Sequence, residues 1–395
     1  MAQKKRRIKV FVILLIFIIY FFIAARPIPK ETILAHKWIS SLPVSSLMDG
    51  EEIKTDPHKL SGQLLPFTLG NRFGYVDSLG QFAVNKTKTA DIYLSRNMWT
   101  EYGAEPARIT INNMLHNTEV NINNARGYPV LLDDRIFILG SEQNSLSEIE
   151  ANGNFKWTYE FGAPLTAIDA AAGLVLTGSL DGVVEVFNSN GDRIFYFEPT
   201  GSRFAVILGC AISSNGSRIG IISGIDKQRF LLFERLGSSG GDYKIVYHEF
   251  LETGFRRPVR ILFVDEDRRV IFEREGGIGC YSIKSRRSIL IPLEGEIAAV
   301  DESGSDGFFF LITSSLFNNQ DKKLIGIKFP SDKLIGITRT AARDTVFMKA
   351  PFKSEDVFLG RTRARGSLTE NSQIENSMLV AGGGTTLISF NLEEK

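Results

Sequence analysis

The sequence has few of the side chains that usually carry chemistry. Of its 395 residues, only two are cysteines and four are histidines. Two cysteines make no disulfide framework, although a bridge between Cys210 and Cys280, in neighbouring predicted repeats, stays open. The histidines show no paired spacing of the kind that zinc ligands have. We therefore expect neither a disulfide-stapled scaffold nor a histidine metal site, and we expect no cofactor.

The chain also lacks a strong excess of charge. Its 46 basic and 45 acidic residues give a formal net charge of +1. Five basic residues lie in the first nine positions, so the remainder carries 46 − 5 = 41 basic side chains against 45 acidic ones. A nucleic-acid surface needs a clustered positive field, which a mildly acidic domain does not supply. We therefore predict no nucleic-acid partner.

One long apolar run is present, near the N-terminus. Residues 10–25 contain no charged side chain, and with the two residues before them they approach the roughly 17–25 residues that a spanning helix needs. Basic residues precede the run, which places segment 1–9 in the cytoplasm by the positive-inside rule. We predict a retained transmembrane anchor over 10–26, with cleavage after Ala25 as the alternative.

The segment 27–62 is predicted to be a tether between the anchor and a folded domain over 63–395. Prolines at positions 27 and 29 open this segment. Ile33, Leu34, Trp38 and Leu42 lie at helical spacing, which predicts a short amphipathic helix before Pro43.

A recurring turn organises the rest of the chain, which is rich in phenylalanine (29) and glycine (36). It follows a strand at Val76–Gly80, Ile149–Gly153 and Phe187–Gly191, and each copy reads apolar, acidic or amide, small, any, glycine. The second and third copies lie 187 − 149 = 38 residues apart. This spacing is close to the period of a propeller blade, about 40–50 residues. We predict an all-β fold, a β-propeller of about seven four-stranded blades, with six or eight allowed.

The clearest unit has strands at 164–169, 173–178, 183–188 and 193–198, and similar units follow it. The later predicted strands are 207–212, 218–223, 229–235 and 243–250; 259–264, 269–274, 279–284 and 288–292; 298–301, 308–313, 323–328 and 333–338; and 345–349, 357–360 or 378–381, and 386–392. The last unit lacks an outer strand, so we expect 63–69 or 72–77 to close the ring. Segments 104–126 and 361–377 are predicted to be insertions.

The stretch Glu148–Asp169 and the following Gly178-Ser179-Leu180-Asp181-Gly182 hairpin resemble the quinoprotein-like propeller repeat. Trp157 lies at the tryptophan position of that repeat. The resemblance is good over Pro129–Gly201 and thin elsewhere, and such repeats identify an architecture rather than an activity. Quinone-dependent enzymes of the family use acidic residues, calcium and usually adjacent cysteines, and this chain has no adjacent cysteines. The chain also resembles the non-enzymatic envelope members of this family, although it lacks a lipid-attachment cysteine.

Two other patterns resemble catalytic or metal sites. Gly237–Gly241 matches the G-x-S-x-G elbow of hydrolases, but strands are predicted on both sides of it, so we interpret it as a hairpin. Asp133-Asp134 and Asp265-Glu266-Asp267 bring carboxylates together at predicted turns, where acidic side chains are usually solvated. We predict no catalytic residue and no metal ligand.

Arginines cluster in one predicted blade. A solvated face is the ordinary interpretation, and binding to an acidic partner is the sharper hypothesis. The candidate partner-binding residues are Arg256, Arg257, Arg260, Arg268, Arg269, Arg286 and Arg287.

The predicted function is that of a single-pass protein of the bacterial cytoplasmic membrane. Its propeller would lie in the periplasm or outside the cell, where it would act as a scaffold for envelope proteins and not as an enzyme. Two alternatives stay open, a quinone-dependent oxidoreductase and a small-ligand sensor.

Overall fold

The computed structural model describes most of the chain between residues 11 and 394. The described ranges are 11–21, 32–42, 53–54, 64–104, 106–114, 116–237, 242–251, 254–293, 295–301, 308–314, 322–328, 345–349, 357–363, 377–383 and 386–394. Strands in these ranges form eight four-stranded antiparallel sheets, at the upper end of the predicted range. Consecutive sheets contact one another, and the first sheet contacts the last, so the sheets are the blades of a closed β-propeller.

The first 160 residues contain the strands of blades 1, 2 and 3 and the outer strand of blade 8. They are β1 (Thr32–Ser41), β2 (Ile53–Lys54), β3 (Leu65–Leu69), β4 (Arg72–Val76), β5 (Phe82–Thr87), β6 (Asp91–Leu94), β7 (Met98–Tyr102), β8 (Arg108–Asn113), β9 (Thr118–Asn123), β10 (Gly127–Leu132), β11 (Arg135–Gly140), β12 (Ser145–Ile149) and β13 (Phe155–Glu160).

The remaining strands build blades 4 to 8. They are β14 (Leu165–Ala171), β15 (Leu174–Ser179), β16 (Val184–Phe187), β17 (Arg193–Phe197), β18 (Ile207–Ile212), β19 (Arg218–Ser223), β20 (Arg229–Arg235), β21 (Tyr243–Phe250), β22 (Ile261–Val264), β23 (Arg269–Arg274), β24 (Gly277–Ser282), β25 (Arg287–Pro292), β26 (Glu296–Val300), β27 (Phe308–Ser314), β28 (Lys322–Lys328), β29 (Thr345–Lys349), β30 (Val357–Arg363), β31 (Ser377–Gly383) and β32 (Thr386–Glu394).

The blades are numbered along the chain. Blade 1 contains β2 to β5, blades 2 to 7 each contain the next four strands, and blade 8 contains β30 to β32 together with β1. The strands of blades 4, 5 and 6 agree with the predicted ones to within two residues. Of the other predicted strands, 333–338 lies outside the described residues, and 345–349 belongs to blade 7 rather than to the last blade.

The core lies between the blades. Ile207, Ile219 and Phe233 of blade 5, for example, pack in one cluster with Leu176 and Val186 of blade 4. Inner strands therefore consist of buried residues: all six residues of β18 are buried, whereas the outer strand β21 exposes several of its side chains. Near-continuous apolar runs are typical of strands that are covered on both faces.

The N-terminal strand corrects two predictions. Thr32–Ser41 forms no helix but pairs with β32 as the outer strand of blade 8, so it, and not 63–69 or 72–77, closes the ring. Lys37, Ile39 and Ser41 are exposed while Trp38, Ser40 and Leu42 are covered, which is the period of a strand. The predicted tether 27–62 therefore contains ring strands, because this alternation and the β-branched residues outweigh the helical spacing.

Two tryptophans pack in the same way on turn glycines of the following blade. A side chain at Gly191 would lie 2.5 Å from the Trp157 ring, and one at Gly80 would lie 3.0 Å from the Trp38 ring. Both glycines have positive φ, 85° and 82°. The recurring turn thus ends in glycine for two reasons, its backbone conformation and the close approach of an indole. Trp38 of β1 thus packs on blade 1 in the same way that Trp157 of β13 packs on blade 4.

Blade 2 corrects a third prediction. The segment 104–126 is no insertion, because β8 and β9 are the third and fourth strands of this blade. Ile109, Ile111 and Ile122 are buried with alternate spacing, which the many asparagines around them obscured. The other predicted insertion, 361–377, begins within β30 and ends at β31, and its residues 364–376 lie outside the described part of the chain.

The ring has two faces, which the antiparallel topology defines. In blades 2 to 8, all first strands begin at the same end of the ring, which we call the upper face. The second hairpin of each blade and the linkers between blades also lie on this face. The lower face carries the first and third hairpins. Lower-face turns of neighbouring blades are joined: Asn97 Nδ2 donates to Asp134 Oδ1 (2.7 Å), and the Ser214 amide donates to Asp267 Oδ2 (2.8 Å).

The N-terminal segment before β1 is described only in part. Residues 11–21 are helical, and their apolar side chains are exposed. No helix in the described ranges is long and apolar enough to span a membrane. The rest of the predicted anchor, and the tail before it, lie outside those ranges.

Both cysteines are buried free thiols, and burial raises the pKa of each, that of Cys280 to about 11. Cys210 packs between blades 4 and 5, and Cys280 packs between blades 6 and 7. The two thiols therefore lie in separate parts of the core, and the disulfide that the sequence left open is not formed.

Candidate interaction surface

The second hairpin of blade 5, residues 223–228, holds the linker from blade 4 on the upper face. The Asp226 carboxylate accepts hydrogen bonds from the Ser202 hydroxyl and from the Arg203 amide (3.1 Å). The Ser202 bond, helped by backbone amides, lowers the pKa of Asp226 to about 2. Because the charged form makes these bonds, Asp226 anchors the linker in its ionised state.

Backbone hydrogen bonds fix the same linker from the other side. The Gly224 amide donates to the Val206 carbonyl (2.8 Å), and the Ile225 amide donates to the Phe204 carbonyl (3.3 Å). These bonds hold the main chain of the linker, and the Phe204 side chain faces the solvent. Phe204 is 58% exposed.

The linker from blade 5 to blade 6 is held by the same hairpin. Gln228 is only 2% exposed, and its Nε2 donates to the carbonyls of Gly224 (3.3 Å) and Phe255 (3.1 Å). Gly254 packs so closely on Gln228 that an added Cβ would lie 2.8 Å from it. One hairpin therefore positions both linkers, one on each side.

Two arginines lie over aromatic rings on this surface. The guanidinium of Arg229 is 5.6 Å from the Phe250 ring centre, and that of Arg257 is 4.4 Å from the Phe255 ring centre. Arg229 also donates to the Thr200 carbonyl, and burial lowers its pKa. Such stacking orders long side chains and leaves the rings available for contact.

We call the resulting surface the upper platform. Its apolar members Leu180, Phe204 and Phe250 are 50%, 58% and 52% exposed. Between blades 4 and 5, Thr200, Ser202, Ala205 and Arg229 line part of a shallow crevice that has no room for a water molecule. Arginine and aromatic residues are enriched at the energetic centres of protein interfaces. The upper platform consists of Leu180, Arg203, Phe204, Arg229, Phe250, Phe255, Arg256, Arg257 and Arg260.

The structure divides the predicted arginine cluster between the two faces. Arg256, Arg257 and Arg260 lie in the linker just before β22, on the upper face, and belong to the upper platform. Arg268, Arg269, Arg286 and Arg287 lie at the lower-face turns of blade 6. The seven arginines therefore form no single patch, because a strand separates the two groups.

Several of these arginines have structural partners. Arg269 is 7% exposed, and its Nε lies 3.3 Å from Asp265 Oδ2; Arg268 contacts the other oxygen of Asp265 at 2.7 Å. Arg257 pairs with the buried Glu273 at 3.2 Å. Within the described ranges, the side chains of Arg203 and Arg256 form no ion pair, so they remain available to an acidic partner.

The other sequence patterns lie in turns. Asp133-Asp134 and Asp265-Glu266-Asp267 form the first hairpins of blades 3 and 6, and all five residues have positive φ. Of Gly237–Gly241, only the first residue is described. Among the described residues, no group of three histidine, cysteine or acidic side chains could hold a metal ion.

The fold makes this chain a β-propeller protein, and the family comparison agrees. A model of a family described as beta-propeller protein matches residues 1–366, and the chain belongs to that family. An uncharacterised protein of Treponema pallidum (strain Nichols) is 27% identical over 289 residues, which cover 72% of this chain and 75% of the relative.

Two solved structures are similar in fold. BamB from Moraxella catarrhalis superposes with a TM-score of 0.53 at 10% identity, over 91% of this chain and 100% of that one. The computationally designed Ika8 protein gives a TM-score of 0.53 at 13% identity, over 84% of this chain and 98% of that one. At such low identity these likenesses show the architecture alone.

Sequence reasoning found Arg256, Arg257 and Arg260 but missed the rest of the upper platform. Arg203 and Phe204 lie in a linker between two predicted units, and Phe250 ends an outer strand. The unusual length of the linkers on both sides of blade 5 was the available signal, because exposed aromatic and arginine residues in such linkers have no place in the core.

Proposed function

We propose that this protein is a membrane-anchored propeller that binds a partner protein of the cell envelope through its upper platform. The apolar run at 10–25 is the anchor, the basic residues before it stay in the cytoplasm, and the ring lies in the periplasm or outside the cell. The protein acts as a scaffold and catalyses no reaction. The non-enzymatic, quinoprotein-like type of the repeat belongs to the same proposal.

The observation that carries this proposal is the upper platform itself. It combines three exposed apolar side chains with arginines that two fixed linkers hold in place. A preorganised surface loses less conformational freedom on binding than a flexible one does. Its charge favours a partner with acidic groups around an apolar centre.

Site-specific photo-crosslinking in cells that produce the full chain tests the binding site. We expect a photoreactive phenylalanine analogue at Phe204 or Phe250 to give a discrete adduct. The same analogue at Phe155, an exposed phenylalanine on the outer strand of blade 3, is the matched control. Equal adducts at all three positions, or none at Phe204 and Phe250, would refute a partner site on the upper platform.

The anchor has its own test. Membranes from cells with the full chain should retain the protein after an alkaline wash. A chain that lacks residues 1–31 but keeps β1 should be soluble and folded. Release of the full chain by the wash would contradict the anchor without affecting the binding site.

A further inference from the structure

The attachment point of the N-terminal segment fixes one side of the ring. In β1, Thr32 pairs with Glu394 and Ser41 pairs with Thr386. Thr386 follows the hairpin after Gly383, and Gly383 pairs with Val357, the first residue of the inner strand β30. Ser41 is therefore at the upper face, and Thr32, where the chain arrives from the apolar helix, is at the lower face.

The connection to the helix is short. The described helical residues run to position 21 and β1 begins at position 32, so ten residues, 22–31, lie between them. A chain of this length spans at most about 36 Å when fully extended. The lower rim of blade 8 therefore lies within about this distance of residue 21.

The upper platform lies far from that rim in two respects. It is on the upper face, and it belongs mainly to blade 5, which blades 6 and 7 separate from blade 8. A ring that rests on its lower face and a ring that stands on the edge of blade 8 both place this surface away from the membrane.

From this geometry we infer that the ring presents its lower face, or the edge of blade 8, to the membrane, and that the upper platform binds its partner on the side away from the membrane. The partner is then a protein that reaches the ring from the aqueous side, not the membrane segment of a neighbour. This inference rests on the proposed anchor and extends it.

Energy transfer to labelled lipid headgroups tests the orientation. The full chain is reconstituted in vesicles of phosphatidylethanolamine and phosphatidylglycerol, with a donor dye on one introduced cysteine. Lys284→Cys places the dye on the lower face of blade 6, and Glu275→Cys places it on the upper face of the same blade; both residues are exposed. Lys227→Cys, also exposed, reports on the upper platform. The unsubstituted protein measures background labelling of the two buried cysteines.

We expect transfer to be strong from Lys284→Cys and weakest or lost from Lys227→Cys. Transfer from Glu275→Cys should be weaker than from Lys284→Cys if the ring rests on its lower face, and similar to it if the ring stands on the edge of blade 8. Equal transfer from all positions, or stronger transfer from Lys227→Cys, would overturn the inferred orientation while the anchor stands. Failure of the folded full chain to float with the vesicles would instead refute the anchor, and the orientation with it. Ser189→Cys, on a lower-face turn of blade 4, replaces Lys284→Cys if that variant does not fold.

Discussion

The two ends of blade 6 use arginine in different ways. At the lower face, Arg269 is buried against Asp265, and Arg268 binds the same carboxylate. At the upper face, Arg256 forms no ion pair within the described ranges. The guanidinium of Arg257 lies over the Phe255 ring and also pairs with Glu273. Similar residues therefore pair within the fold at one end and belong to the proposed binding surface at the other. Their closeness in sequence did not distinguish these two roles.

Loss of the lower-face carboxylate gives the largest expected effect on stability. Asp265→Asn leaves the buried Arg269 without its counter-charge, and we expect the free energy of unfolding to fall by about 3 kcal/mol. Asparagine tolerates the positive φ of this position, so the backbone is not the cause. Denaturant unfolding of the ring measures the change.

Arg256→Ala is the matched control at the upper end of blade 6. Its side chain is exposed, and we expect a change in stability within about 0.5 kcal/mol. If Arg256→Ala destabilised the ring as much as Asp265→Asn, the difference between the two faces would not exist.

A second carboxylate network in the lower half of the ring predicts a dependence on pH. Burial raises the pKa of Glu148, but the hydrogen bonds and charge of Arg135, with bonds from Trp157 and Lys156, outweigh this effect and hold the pKa below its usual value. The Trp157 indole donates to Glu148 at 2.7 Å. Such a carboxylate stabilises the fold above its unfolded pKa and loses this effect as the pH falls through its folded pKa.

Glu148→Gln should therefore destabilise the ring at neutral pH by about 2 kcal/mol, because charge-assisted hydrogen bonds are lost from a buried site. The difference between the wild type and Glu148→Gln should shrink as the pH falls below about 4. Unfolding curves at several pH values, followed by tryptophan fluorescence, check both points. A difference that stays constant with pH would show that the charge of Glu148 is not involved.

The hydrogen bonds that hold the linker between blades 4 and 5 predict a smaller, local effect. Asp226→Ala removes the acceptor for Ser202 and Arg203, and we expect faster exchange of the Arg203 amide with little change in global stability. Asp242→Ala, at an exposed lower-face position, is the control. In the wild type the hydrogen bonds to Asp226 should persist above about pH 4 and weaken as the pH falls toward the Asp226 pKa of about 2.

Sequence patterns predicted the propeller better than they predicted its closure. The strands of blades 4 to 6 follow from alternation and glycine turns, which are local signals. The role of β1 depends on pairing with β32, whose partner residues lie more than three hundred positions away. A strand that gains its hydrogen bonds from so distant a segment gives little local signal, and the spacing of Ile33, Leu34, Trp38 and Leu42 resembles a helix equally well.

The upper platform could be predicted only in part for a related reason. Arg256, Arg257 and Arg260 stand out as a local cluster. Arg203 and Phe204 join them only through the hydrogen bonds of one hairpin, and Phe250 joins them through its pairing with Arg229. Those bonds connect two linkers to one hairpin, and no periodicity in the sequence describes such an arrangement.

The most direct test of the upper platform is the affinity of the partner that the crosslinker identifies. Phe204→Ala combined with Phe250→Ala should weaken binding by about 2 kcal/mol, roughly 30-fold, with the melting temperature unchanged. Phe155→Ala should leave the affinity unchanged. Equal affinity of the wild type and the double variant, or equal weakening by Phe155→Ala, would contradict a binding site on the upper platform.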